Sequence, residues 1–168
     1  MGKLKGFYPA CLFLLAIAGL CSCSFLTGSD PDPKNSKFKI DFHLPGWMKI
    51  DPDHSDTAYR HKISKSILLA NSTCKKYDTT SLESLADNLF AGIDELKTGT
   101  GERIPYAGRE AFRISAEGKM DGVPIYLLVV TLKRDQCIYD FSLVSPNKEA
   151  HQKETADFER FLSSARFD

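Results

Sequence analysis

The stretch VPIYLLVVTLK, residues 123–133, decides the fold. Val123, Ile125, Leu127 and Val129 fall on one parity, and Tyr126, Leu128, Val130 and Leu132 on the other. Successive side chains of a strand point to opposite faces, so a strand here is apolar on both and needs cover on both. Before it, Asp121-Gly122 marks a hairpin, because both residue types tolerate positive φ. Further upstream, Ala111–Glu117 and Arg103–Tyr106 read as strands. Downstream, a turn near Arg134-Asp135 leads into a strand from Cys137 to Val144.

The cover comes from two predicted helices. Leu82, Leu85, Leu89, Ile93 and Leu96 recur at three- and four-residue intervals and predict a helix over Ser81–Lys97. Thr80 and Glu83 have capping-box spacing at its start, and Gly99 suits its stop. A last helix is predicted over Pro146–Ala165, with Ser145 as cap, Pro146 in the first turn and Phe158, Phe161, Leu162 and Ala165 as its apolar stripe. Nearer the N-terminus, Phe38, Ile40, Phe42 and Leu44 alternate with polar residues as a half-buried strand, and Pro45-Gly46 ends it. Trp47–Ile50, Thr57–Lys62 and Ser66–Ser72 also have β-like composition. The order implies an α+β fold, an antiparallel β-sheet sandwiched between helices.

The 168 residues are 42% apolar and 26% charged, which fits one domain with a short appendage. Lys and Arg total 22 and so do Asp and Glu, so there is no basic surplus for a nucleic-acid surface.

The appendage is an address. Lys3 and Lys5 precede an almost uninterrupted apolar run from Phe7 to Leu20, interrupted near its start by Pro9. The run is too short to span the roughly 30 Å of a bilayer core, so residues 1–22 read as a signal peptide. Leu20-Cys21-Ser22-Cys23 resembles the bacterial lipobox, which makes Cys23 the lipidated residue; Cys21 stands where Ala or Ser is usual. An ordinary secretory signal cut nearby is the alternative. One acyl chain gives only marginal membrane binding, whereas lipoproteins carry two or three chains such as palmitate and stay anchored. Ser24 after Cys23 looks like release to the outer membrane. The Pro-, Asp- and Ser-rich stretch 23–36 reads as the lipidated cysteine and a tether, and 37–168 as the globular domain. Removing residues 1–22 takes away Lys3 and Lys5 and leaves a small acidic excess.

FKIDFHLPGWMKID, residues 38–51, resembles the hydrophobic-strand, Pro-Gly-Trp opening of the PsbP-like fold, seen also in DcrB-like periplasmic lipoproteins. Gly108-Arg109-Glu110-Ala111-Phe112 is similar to the Gly-x-x-Ala entry to the central meander of that fold. The resemblance covers Phe38 to the C-terminus and agrees in element order. It implies a superfamily of mostly non-enzymatic binding proteins, including photosystem assembly subunits and a nuclear transport cofactor. No functional residue carries over.

Cys74 and Cys137 are the only cysteines beyond Cys23, and an exported domain meets an oxidising compartment, so they are expected to pair. Two free buried thiols are the alternative; the C-x-x-C spacing of a redox-active pair is absent. Asp51, Asp53, His54 and Asp56 could face a divalent cation, but the Gly and terminal Glu of a calcium loop are missing, and a polar turn is the expectation. His43 and His61 are expected on the solvent side of strands, and His151 on the polar side of the last helix. Arg109-Glu110 reads as a surface ion pair, with recognition of an acidic group as the sharper alternative. Trp47, Tyr106 and Tyr126 are expected in the core, with a pocket lining as the alternative.

No G-x-S-x-G elbow, H-E-x-x-H helix or phosphate-cradling glycine loop appears, so no catalytic residue, metal or cofactor is assigned; a triad of distant residues stays open. The expectation is a lipoprotein of the outer membrane facing the periplasm, with an envelope protein as partner. It acts as a non-catalytic binding or assembly accessory. The rival is a periplasmic hydrolase or small-molecule-binding lipoprotein.

Overall fold

The computed structural model describes residues 38–52, 55–74 and 80–167. The leader, Cys23 and the tether therefore lie outside the described residues, as do Asp53 and His54. The element order is β1 (Phe38–Ile40), β2 (Trp47–Ile50), β3 (Thr57–His61), β4 (Ile67–Thr73), α1 (Leu82–Asn88), β5 (Asp94–Thr98), β6 (Glu102–Tyr106), β7 (Arg109–Met120), β8 (Val123–Arg134), β9 (Cys137–Ser145), α2 (Lys148–Ser163) and β10 (Ala165–Phe167). Eight strands form an antiparallel sheet in the order β2-β3-β4-β9-β8-β7-β5, with β6 also paired to β7. β1 and β10 pair separately. The fold is α+β, mostly antiparallel sheet with two helices.

β8 organises this arrangement as its sequence demands. Leu128, Val130 and Leu132 join one cluster with Phe158, Phe161 and Leu162 of α2. Ile125, Leu127 and Val129 join a second with Ala86 and Phe90 at α1. Asp121 and Gly122 both take positive φ, 51° and 78°, in the β7–β8 turn. Asp135 and Gln136 do the same in the β8–β9 turn without a glycine.

Several predicted boundaries are corrected. The helix over Ser81–Lys97 stops at Asn88, and its second half is strand β5. Leu89, Phe90 and Ala91 close with short backbone turns, and Gly92 takes φ +84°, a conformation that ends a helix. Beyond it the chain gains ladder bonds along β7, which an exposed helical turn would not offer. The cap is Ser81, whose hydroxyl accepts from the Ser84 N–H at 3.1 Å, one residue later than the Thr80–Glu83 box. Gly99 follows β5 and donates its N–H to the Ser115 carbonyl at 2.8 Å.

The last helix is capped by Asn147, not Ser145, which belongs to β9. Its stripe ends at Leu162, because Ala165 turns away into β10, an element the sequence did not suggest. The predicted strand from Phe38 to Leu44 is a strand only to Ile40. Its pairing partner β10 is itself three residues long, and Phe42 instead drops into the core among Trp47, Tyr59 and Phe161.

Cys74 and Cys137 form a disulfide, as expected, joining the end of β4 to the start of the neighbouring β9. It closes a loop across a sequence separation of 63. On chain-entropy grounds that restricts the unfolded chain by about 4 kcal/mol. Cys74→Ser combined with Cys137→Ser should lower the urea-unfolding free energy by about 3–4 kcal/mol, and reductant should do the same to the native protein alone.

Asp140 supplies a pH signature. Burial pushes its carboxyl up to about 6, against the hydrogen bond donated by Thr131 at 2.7 Å. Its unfolded value lies near 4, so between about pH 4 and 6 the native chain holds more protons than the unfolded one. Stability from this site is therefore full below about pH 4 and lost as pH rises through 6, by about 2–3 kcal/mol. Asp140→Asn keeps an acceptor for Thr131 and should flatten that part of the stability–pH curve measured by urea titration.

Candidate functional site

α2 rests on the sheet over a polar seam as well as an apolar one. At its middle, Glu154 is buried, with its side chain 7% exposed. The Ser64 hydroxyl, from the β3–β4 turn, donates to Glu154 Oε1 at 2.5 Å, and His61 Nδ1 lies 3.3 Å from the same oxygen. Ser64 Oγ also stands 2.9 Å from His61 Nδ1 and accepts from the Ser66 N–H at 3.2 Å. The Trp47 ring covers His61 at 5.1 Å between centroids, and its Nε1–H donates to Asp157 on α2 at 3.0 Å. Gly46, at φ +93°, permits this approach, because a Cβ there would come within 2.8 Å of His61 Nε2. The Pro-Gly-Trp segment thus docks β2 and β3 onto α2.

A serine, a histidine and a carboxylate in one cluster invite comparison with a hydrolytic relay. A relay needs the hydroxyl on one imidazole nitrogen and the carboxylate on the other. Here both crowd Nδ1, and the hydroxyl donates directly to the carboxylate, so this trio is a tie between turn and helix.

Towards the start of α2 the seam continues. Ser66 directly precedes Ile67, which pairs with Val144 near the end of β9, and Ser145 pairs with Tyr126 of β8. Among the described residues, Ser145 Oγ, His151 Nδ1 and Glu154 Oε2 are buried without a hydrogen-bond partner. His151 and Glu154 are one helical turn apart, which puts their side chains on the same face. Burial holds the His151 imidazole below the usual histidine value, against the pull of Glu154.

Beside His151 the seam opens into a groove of about 330 Å³. Lys148, His151 and Gln152 of α2 form one wall, Lys97, Thr98 and Gly99 the other, and Ser115 and Tyr126 of β7 and β8 the floor. At that rim a Cβ on Gly99 would meet Ser115 Oγ at 2.6 Å, so a side chain there would turn the Ser115 hydroxyl. Tyr126 and His151 rings sit 6.2 Å apart.

Cys74 and Cys137 are joined, away from this groove, while Cys23 lies outside the described residues. His43 is exposed, as expected. His61 and His151 are not on the solvent side: strand and helix periodicity place a residue on a face but do not show that α2 overlies that face. Glu110 pairs with Arg103, not with its neighbour Arg109, because adjacent residues in a strand point to opposite faces. Arg103 also reaches Glu83 at 2.6 Å, tying β6 to α1. Trp47 is in the core, and Tyr106 is largely buried, donating to the Leu162 carbonyl at 2.7 Å. Burial pushes its phenol pKa up. Tyr126 lines the groove. Asp56 accepts from Ser72 at 2.5 Å, and among the described residues no cluster of three or more His, Cys, Asp or Glu side chains could hold a metal ion. Glu154 and Ser64 were missed; the one available signal was a glutamate inside the helical stripe, between Ala150 and Phe158.

The fold resembles that of PsbP. Cyanobacterial PsbP (CyanoP) from Synechocystis sp. PCC 6803 superposes with a TM-score of 0.57 at 13% identity, over 78% of this chain and 86% of that one. PA94 from Pseudomonas aeruginosa, a protein of unknown function, superposes with a TM-score of 0.50 at 16% identity, over 79% and 85%. At these identities the likeness is one of fold. No family model matches the sequence, and no curated protein matches it.

Ser64→Ala removes the hydroxyl donor to Glu154 Oε1. It should destabilise by about 1.5–3 kcal/mol, the range for a hydrogen bond to a charged acceptor. Urea unfolding followed by the fluorescence of Trp47, the only tryptophan, measures it directly.

Proposed function

We propose that this chain is an envelope lipoprotein, anchored through Cys23 to the outer membrane and facing the periplasm, whose PsbP-like domain is a non-catalytic binding or assembly accessory. The observation that carries this reading is the Cys74–Cys137 disulfide, a bond that persists in oxidising compartments, in a chain whose leader ends in a lipobox-like Leu-Cys-Ser-Cys. The PsbP-like fold supports an accessory role. The two apolar clusters on the two parities of β8, one with each helix, support reading the sheet as sandwiched between helices.

The groove beside His151 favours a second reading, in which the lipoprotein binds a small molecule. Such sites are concave, with a few convergent polar groups, and start at about 300 Å³.

Intact mass of the membrane-extracted protein, without reduction and with thiol labelling, tests the address. The expected result is a chain beginning at Cys23 with added acyl mass and no labelled thiol. An unlipidated chain carrying two labelled thiols would overturn the reading. Cross-linking in intact cells should then enrich one recurrent envelope protein, and enrichment of none would remove the assembly role.

A further inference from the structure

The groove at the start of α2 has a chemistry that the envelope reading does not use. Its lysines are unequal. Lys97 is engaged, 3.6 Å from Glu117 on the neighbouring strand. The Lys148 ammonium has no carboxylate partner among the described residues. The lining therefore holds one uncompensated positive charge over a floor of hydroxyls, from Ser115 and Tyr126, and beside the Gln152 amide.

We propose that this groove binds a small phosphate-ester anion, with Lys148 as its charge partner and Ser115, Tyr126 and Gln152 as its hydrogen-bond donors. The lining contains no guanidinium, the planar fork that pairs with carboxylates two-by-two. An ammonium acts as a point charge, and hydroxyls rotate to suit, which matches a tetrahedral oxyanion. The volume of about 330 Å³ admits a glycerol- or sugar-phosphate. The Tyr126 ring offers an apolar surface to the carbon part of such a ligand. This inference does not depend on the anchor at Cys23.

His151 makes the site report on its occupancy. The groups around it are Lys148 and Glu154 on α2, Tyr126 on β8, Glu117 on β7 and Lys97 on β5. Burial lowers its pKa and Glu154 raises it. An anion held at Lys148 adds negative charge next to the ring, so binding must favour the imidazolium and take up protons as the pH falls.

The full chain in neutral detergent serves for the test. Titration with sn-glycerol 3-phosphate by calorimetry should show saturable binding, with glycerol as the uncharged control. Lys148→Glu, a change at an exposed position, should weaken it at least about tenfold, as expected for reversing a charge at contact. Sulfate, whose charge is constant over this range, should raise the His151 pKa read from its imidazole proton resonances. A second arm uses mixed micelles of phosphatidylglycerol against phosphatidylcholine. Binding there that depends on Lys148, without binding of free glycerol phosphate, supports the same site with a phospholipid headgroup as the source. No binding in either arm, equal binding of glycerol, an unchanged Lys148→Glu affinity, or a His151 pKa unmoved by sulfate overturns the proposal.

Discussion

The two-sided burial of β8 is the constraint on which the rest depends. From Ile125 to Leu132 its residues are 0–8% exposed on both parities, with half-buried Tyr126 at the groove as the exception. A strand sealed on both faces must sit inside the sheet, because an edge position would leave its backbone groups unpaired. β7 and β9 satisfy that requirement over ten and nine register pairs. Those two strands then fix everything beyond them: β9 recruits β4 and the β2–β3 hairpin, and β7 recruits β5 and β6. The disulfide lies at the outer end of the β4–β9 ladder, where it holds together two strands far apart in sequence.

Apolar burial specifies that α2 lies on the sheet, and the polar seam specifies how. Phe158 and Phe161 would tolerate a helix rotated or shifted by a fraction of a turn, since dispersion contacts are non-directional. Glu154 bound to Ser64, and Asp157 bound to Trp47, would not, because each fixes a distance and an angle. Desolvating a carboxylate is costly, and the Ser64 hydroxyl that donates to Glu154 Oε1 offsets part of that cost only in one register. The same register carries His151 over Tyr126 of β8, beside the groove. The geometry of the groove is thus set by the tie at the other end of the seam.

The sheet was legible in the sequence and the seam was not. Period-two alternation and the Asp-Gly turn are local signals, and the β7–β8–β9 meander follows from them. The helix over Ser81–Lys97 failed because Leu82, Leu85 and Leu89 share a helical face whether or not Ile93 and Leu96 continue it. What decided was a glycine at positive φ and a strand partner 18 to 25 residues away. β10 was illegible for the same reason: three residues have no periodicity of their own, and Ala165–Phe167 is a strand only because Phe38–Ile40 lies beside it. The groove and the tie combine residues from turns, strands and a helix up to 93 positions apart, as His61 and Glu154 are. No spacing rule reaches that far.

The β1–β10 pair places the chain's entry into the domain on its most aromatic corner. Phe38 packs on Tyr139, Phe141 and Phe167, with centroids 5.4–5.6 Å away. Arg134 lies over the Phe167 ring at 5.0 Å, and Tyr106 packs edge-on to Phe141 and Phe167. Three residues of strand pairing would be marginal alone. Stacked on β9 next to the disulfide, they are held by the part of the sheet least able to open. The same pairing ties the entry of the chain to the end of α2, since β10 follows α2 directly and the Asp41 N–H donates to the carbonyl of Ser164, the α2 C-cap, at 3.3 Å. The groove is lined from the opposite end of β8 and the first turns of α2, so the aromatic corner and the groove lie at opposite ends of the strands.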